Sequence, residues 1–406
     1  IYKKLSGVEE GYTKKGDKHY QIINALDEDG DVFRFQLFDD TSLGLKMMWG
    51  SLFNLFNTVN AAQATSPKPQ PRPAQSASQT MQTITVYDAH KNPKTLENML
   101  AKGGEGSVYA VQGRSDVLVK LYHPEVLNKL QPHLQQKITA MLNNKPNTAN
   151  LLSWPLIDVY NQQQQWIGYA MHRKQGLKLQ FLAHAVLYKK HFPHFNRRDI
   201  VLVLLSLIEQ VQSLHRQQIM IGDYNLNNFL CDPQSKTISL IDCDSYQCQL
   251  NQQFFACPVG SPDLTPPEHQ NKPFKEVVRN PQSEVFSLAI ILFKCLMLGR
   301  HPYDMVNGED PVSNMNSGRF AYGKGNQGIP KGDWYNIWSH MPYQLKSLFI
   351  RTFSEGALNP SLRPSLDDWH QALSLYVKEM DKGWHEVAVR PEHAKKSDYR
   401  GSNSVS

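Results

Sequence analysis

Residues 214–230 read LHRQQIMIGDYNLNNFL, and residues 238–245 follow as ISLIDCDS. The first stretch leaves a long apolar run with helical period, IVLVLLSLIEQVQSL over residues 200–214, and enters a polar loop. In that loop Asp223 and Asn228 stand five residues apart, ahead of a strand-like run. Asp242 closes a second apolar strand. Phosphoryl transfer calls for a carboxylate near the attacking hydroxyl and for hard oxygen ligands to a divalent cation bridging the phosphates. Asp223, Asn228 and Asp242 are of those types. Asp and Asn are also common turn formers, so the reading depends on what lies upstream.

Upstream, residues 101–109 read AKGGEGSVY. Gly103, Gly104 and Gly106 let backbone approach a phosphate chain with no Cβ in the way. Val108 lies where a strand resumes and covers an adenine ring. Fourteen residues after Gly106, the run DVLVK ends on Lys120. A lysine projecting from a buried strand wants an anion, and a phosphate pair serves. Residues 166–172, WIGYAMH, read as a further strand.

Composition sets the frame. The chain has 406 residues, with 40% apolar and 20% charged, ordinary globular usage and room for two or three domains. Forty-three basic and 37 acidic residues give a net charge of +6, too mild to imply nucleic acid, and no dense basic block points to a membrane. The five cysteines form no CxxC pair and read as reduced thiols in a cytoplasmic protein rather than a zinc site. The acidic run DEDGD at 27–31 lacks the glycine and glutamate spacing of a calcium loop and reads as a β-turn inside a hairpin. Residues 43–59 are too short and polar for a span and read as an amphipathic helix. Residues 61–82 are a Pro/Ser/Gln-rich linker.

Strand-like runs precede helical ones after the linker. This predicts an α+β fold of two lobes: a small β-rich lobe over 83–172 and a larger α-helical lobe over 175–380. A small β-containing module of open role occupies 1–60, and a disordered tail 381–406.

Together these motifs resemble the protein kinase superfamily. On that resemblance Lys120 matches the strand-three lysine, Asp223 the catalytic-loop base, Asn228 its metal-binding asparagine and Asp242 the aspartate of the DFG motif. GSPDLTPPE at 260–268 resembles the end of an activation segment. SEVFSLAII at 283–291 resembles the buried helix of the large lobe, and Arg363 the late arginine that pairs with the APE-type Glu268. IGDYNLNNFL, LIDCDSYQ, CPVGSPDLTPPE and LGRHPYD are similar to an atypical bacterial branch of Ser/Thr protein-kinase-like proteins. Members of that branch often sit beside a phosphatase and a von Willebrand A-type protein. The resemblance implies ATP with Mg²⁺ or Mn²⁺ as cofactors, a protein substrate and a cognate phosphatase. It also implies Ser261 as a supporter of Asp223, Met171 near the gatekeeper and His172 to Lys174 as the hinge beside the nucleotide.

The departures are specific. Ile221 and Gly222 replace the His-Arg before the catalytic Asp, Asn225 replaces the catalytic-loop lysine, and Asp244 replaces the DFG glycine, a possible added metal ligand. No glutamate occurs between Glu125 and Glu209, so the helix glutamate that pairs with the lysine is missing. Gln135 or Gln136 falls nearest its place. Three functions follow as expectations: a Ser/Thr protein kinase, a nucleotide-binding pseudokinase scaffold, or a kinase-fold transferase with a non-protein acceptor.

Overall fold

The computed structural model describes the backbone of residues 5–15, 18–27 and 32–38, and residues 84–250, 252–323 and 328–395 in full. The expected helix over 43–59, the linker over 61–82 and residues 396–406 of the C-terminal tail lie outside the described residues, whereas residues 381–395 are described and pack on the helical lobe, Arg197 donating to the Val389 carbonyl at 2.6 Å. The chain divides into two units, Ile1–Thr80 and Met81–Ser406.

In the first unit β1 (Leu5–Lys15), β2 (Lys18–Asp27) and β3 (Val32–Phe38) form an antiparallel sheet in that order. The hairpin expected around residues 19–38 corresponds to β2 and β3, in register at Ile22↔Gln36. Strand β1 was not legible: LSGVEEGYTKK has no apolar alternation to announce it.

The second unit opens with six strands: β4 (Ile84–Tyr87), β5 (Pro93–Lys102), β6 (Gly106–Val111), β7 (Arg114–Tyr122), β8 (Pro155–Tyr160) and β9 (Trp166–His172). They run β4-β5-β6-β7-β9-β8 and close through the Tyr87↔Tyr160 pair, a barrel where sequence had suggested only a β-rich lobe. Side chains alternate across a strand. Along β7, Val119 joins Val86, Leu96 and Val159 inside the barrel, with Val117 and Leu121 packed against them. Leu118, Lys120 and Tyr122 therefore face the other way, and Tyr122 and Leu118 join the large core. The same two-residue period separates β9 into Ala170 on the barrel side and Met171 on the other.

The antiparallel pairing of β7 and β9 is tight. Gly168 pairs with Leu121, and a Cβ on it would lie 2.0 Å from the carbonyl oxygen of Lys120.

Helix α1 (Pro124–Asn143) follows β7, with proline at its first turn where a missing N–H costs nothing. The helical lobe is built on α2 (Arg197–His215), α3 (Pro281–Leu296), α4 (Tyr343–Phe353) and α5 (Leu366–Asp381). Capping boxes start α2 (Asn196 with Asp199), α3 (Asn280 with Ser283) and α5 (Ser365 with Asp368). Helix α3 is apolar on all sides and buried from Ser283 to Phe293, the signature of a helix at the centre of a lobe. Phe293 anchors an aromatic cluster with Phe349 at 5.3 Å and Tyr322 at 5.4 Å between ring centres. No described helix is long and apolar enough to cross a membrane.

Gly168→Ala is expected to lower the unfolding free energy by at least about 2 kcal/mol, since strands β7 and β9 must separate to admit the methyl group. Urea denaturation followed by tryptophan fluorescence measures it, and an unchanged midpoint would contradict the close approach.

Candidate active site

A cleft of about 520 Å³ lies between the barrel and the helical lobe of the second unit. Gly103, Gly104, Gly106, Val108, Lys120, Met171, Asp223, Asn228 and Asp242 all line it. Its apolar part is made by Val108, Leu118, Met171, Leu230 and Ile241, and its polar end by Lys120, Asp223, Asn228 and Asp242. Leu118, Leu230 and Ile241 were not singled out in the sequence. His172 is not part of the cleft. Met171 points in, so the next residue of the strand points away, and His172 is exposed.

Short elements aim the polar groups. Strands β10 (Leu177–Lys178), β12 (Phe229–Cys231) and β13 (Ile238–Leu240) form one small sheet; β11 (Ile219–Met220), β14 (Gln247–Leu250) and β15 (Gln253–Phe255) form another. Asn228 stands immediately before β12 and Asp242 two residues after β13, and the Ile241 N–H donates to the Asn228 carbonyl at 2.9 Å. Asp242 adopts φ 61°, a left-handed conformation that Asp tolerates, and turns the chain into a single turn over Cys243–Ser245.

The loop carrying Asp223 is held from below by a residue that sequence reading missed. Glu284, 2% exposed in the first turn of α3, accepts from the N–H groups of Ile221 at 2.8 Å and Gly222 at 2.9 Å. The Tyr224 hydroxyl donates to it at 3.1 Å. A buried carboxylate must find such donors. A lone glutamate inside a uniformly apolar helix was the available signal.

Gly222 has φ +73°, and a Cβ there would lie 2.7 Å from the Cys257 side chain and 3.1 Å from Nε of Arg279. Arg279 fills that space, donating to the carbonyls of Cys257 at 2.5 Å and Val259 at 2.9 Å. Asn225 spends its side chain capping the 226–228 turn, accepting from the Asn227 N–H at 2.9 Å. Ser261 makes no side-chain bond to Asp223 among the described residues; its carbonyl instead accepts from the Thr265 hydroxyl at 2.8 Å.

One oxygen of Asp223 is buried with no partner. Burial pushes this carboxyl above the usual aspartate range, nearby Asp242 adds to the shift, and Arg279 opposes it.

Lys120 Nζ donates to Asp242 Oδ1 at 2.8 Å and to both oxygens of Asp244, at 2.9 and 2.8 Å. Burial works against the ammonium, but the two carboxylates outweigh it and hold its pKa above the ordinary value. Asp244 also accepts from the Tyr122 hydroxyl at 2.6 Å. Buried as it is, it is held down to about 2 by Lys120 and these hydrogen bonds. The metal-ligand role expected for Asp244 is not what the geometry shows: its carboxylate is occupied by Lys120 and Tyr122. Gln135 and Gln136 do not reach Lys120. They line an outer groove with Pro132 and Thr139, while Lys137, Ile138 and Met141 form the inner face of α1.

Farther out, Arg363 donates to both oxygens of Glu268, at 2.6 and 2.7 Å, the pair that sequence motifs anticipated.

These residues suit a nucleoside triphosphate with a divalent cation. A Cβ at Gly104 meets nothing within 4 Å, so the loop above the cleft is open backbone. Asn228 and Asp242 offer hard oxygen donors, and Lys120 a fixed cation.

The family model described as "Protein kinase domain" matches residues 95–374. The chain belongs to the protein kinase family. Its two-lobed α+β architecture is that family's fold. It is 28% identical over 310 residues to Protein kinase YegI of Escherichia coli O157:H7, covering 73% of this chain and 47% of the relative. The corresponding Protein kinase YegI of Escherichia coli strain K12 is 27% identical over 311 residues, with 74% and 47% covered. The chain thus spans about half the length of these curated relatives.

Glu284→Ala is expected to cost at least about 2 kcal/mol, because two buried N–H groups lose their acceptor. A urea midpoint equal to wild type would contradict the clamp. The Glu268–Arg363 pair predicts acid sensitivity. Burial alone would raise the Glu268 carboxyl, but Arg363 holds it below the ordinary 4.5. Its contribution is therefore fully present above that value and lost as pH falls through the lower, folded-state value. Wild type and Glu268→Gln should differ in thermal midpoint at pH 7 and converge towards pH 3.

Proposed function

We propose that the chain is an ATP- and Mg²⁺-dependent protein kinase that transfers the γ-phosphoryl group to serine or threonine hydroxyls of a protein, itself included. The observation that carries this reading is the convergence of Lys120, Asp223, Asn228 and Asp242 on one end of one cleft, although they span more than 120 residues of sequence. Protein kinase YegI, by its name, is a protein kinase, which supports the same activity here.

In this mechanism Val108 and Met171 flank the adenine, and residues 103–106 cover the phosphates. Lys120 orients the α- and β-phosphates, while Asn228 and Asp242 hold the divalent cation, Mg²⁺ or Mn²⁺. That cation, when bound, neutralises charge on the phosphate oxygens. Asp223, which lines the cleft, accepts the proton of the attacking hydroxyl. Segment 260–268, fastened by Arg363, offers the protein substrate its platform. A cognate phosphatase and a cytoplasmic setting complete the proposal, the latter supported by five buried, unpaired cysteines.

A second reading, a pseudokinase scaffold, is favoured by Asn225, whose side chain caps a turn where a cation would steady the transferred group.

The test is label transfer from γ-³²P-ATP with Mg²⁺ or Mn²⁺ to the chain itself and to a generic protein acceptor. Label should fall at least about 100-fold in Asp223→Ala and Asp242→Ala. Equal incorporation in wild type and both variants would reject the kinase reading; no label with metal-dependent ATP binding would select the scaffold. The raised Asp223 carboxyl adds a pH signature. Because the base works deprotonated, kcat/KM should fall with acid along a limb centred above the 3.8 of an ordinary aspartate.

A further inference from the structure

We infer that Asp244 is the positioning residue for Lys120, taking over at the start of the activation segment a task that the facing helix α1 lacks the carboxylate to perform. The inference deepens the kinase reading above and depends on it for its meaning.

Four observations carry it. First, Asp244 engages Lys120 through both carboxylate oxygens and is only 3% exposed at its side chain, so the contact is shielded from water. Second, Asp244 is itself immobilised. The Tyr122 hydroxyl donates to it at 2.6 Å, and Tyr122 packs on Trp166 with ring centres 5.5 Å apart. Lys120 and Tyr122 share one face of β7 by strand alternation, so a single strand presents the cation and the second anchor together.

Third, α1 offers nothing equivalent. Its acidic residue Glu125 sits in the first turn and is exposed. The buried charge on its inner face is Lys137, a cation, which cannot pair with Lys120. Fourth, the two carboxylates on Lys120 differ in access. The Asp242 side chain is 47% exposed and lines the cleft, whereas Asp244 is sealed. Asp242 is thus free to turn towards a cation without releasing Lys120, because Asp244 keeps hold of it.

The consequence is a division of labour across one turn. Residue 242 serves the metal side and residue 244 the lysine side, both on the segment that follows β13. Placement of Lys120 then depends on that turn and not on where α1 sits.

The experiment measures ATP affinity by thermal shift and, separately, KM for ATP and kcat, on the full chain. Asp244→Asn should weaken ATP binding at least about tenfold and lower kcat/KM by about 100-fold, the scale expected when a reacting group is misplaced by about 1 Å. Gln135→Ala/Gln136→Ala, on the outer side of α1, should stay within twofold of wild type in both. Should Asp244→Asn prove unstable without ligand, Tyr122→Phe removes one anchor of Asp244 and should weaken ATP binding in the same direction by a smaller factor. Wild-type ATP affinity in Asp244→Asn or, if that variant does not fold, in Tyr122→Phe overturns the inference, as does an equal loss in the α1 variant. Affinity is read without turnover. A wild-type chain that binds ATP yet transfers no label therefore rejects the kinase activity while leaving the Asp244 comparison decisive.

Discussion

A buried ammonium at the wall of the cleft governs the geometry of this site. An isolated charge in that position would be prohibitively costly, so Lys120 exists there only because carboxylates meet it. Removing water from such a pair strengthens it and fixes its geometry at once. Every other feature of the cleft is arranged around it. Strand β7 must alternate so that Lys120 and Tyr122 face away from the barrel interior, β9 must supply a glycine where it pairs with β7, and β13 must end where Asp242 and Asp244 can turn inward. The pair also joins the barrel to the helical lobe across the cleft, at the polar end that Asp223 and Asn228 share.

The helical lobe supplies the opposite kind of support. Helix α3 is buried from Ser283 to Phe293, and its single carboxylate reaches backbone N–H groups beside Asp223. Asp223 is therefore positioned through the main chain beside it, and one of its oxygens is buried with no partner. Gly222 and Arg279 continue the same logic. A glycine with positive φ makes room for a guanidinium that gathers the carbonyls of Cys257 and Val259. Loop and segment are held by hydrogen bonds to backbone, which do not depend on any modification of a side chain.

How much of this was legible depended on whether a residue's role is local. Lys120, Asp223, Asn228, Asp242 and the glycines of 103–106 each sit in a short pattern of strand, turn and charge, and they meet in the cleft. The Arg363–Glu268 pair was legible from two motifs. Roles set by orientation were less so. His172 failed because strand alternation sends it away from the site that Met171 enters. Gln135 and Gln136 failed because the apolar period of α1 turns Ile138 and Met141 inward and those two outward. Ser261 contributes its carbonyl to a local turn and, among the described residues, makes no side-chain bond to Asp223. Asp244 looked like a metal ligand because its neighbour does; only three-dimensional burial distinguishes the two. Glu284 was hidden by its surroundings, a lone acid in an apolar run whose partners lie about sixty residues earlier in the chain.

The closure of the Lys120–Asp244 contact also bears on how the chain folds. Its ends are 124 residues apart in sequence, with α1, β8, β9 and all of α2 between them. Contacts of such separation are made after local structure has formed, because a long loop must be closed before they return any energy. Until then the ammonium and the Tyr122 hydroxyl on β7 remain solvated on an open face of the barrel. The nucleotide pocket is thus a late product of assembly, created when the two lobes dock and the charges dehydrate together. A molecule that binds the cleft selects chains in which that last step is complete, and so stabilises the whole second unit and not merely the lobe it touches.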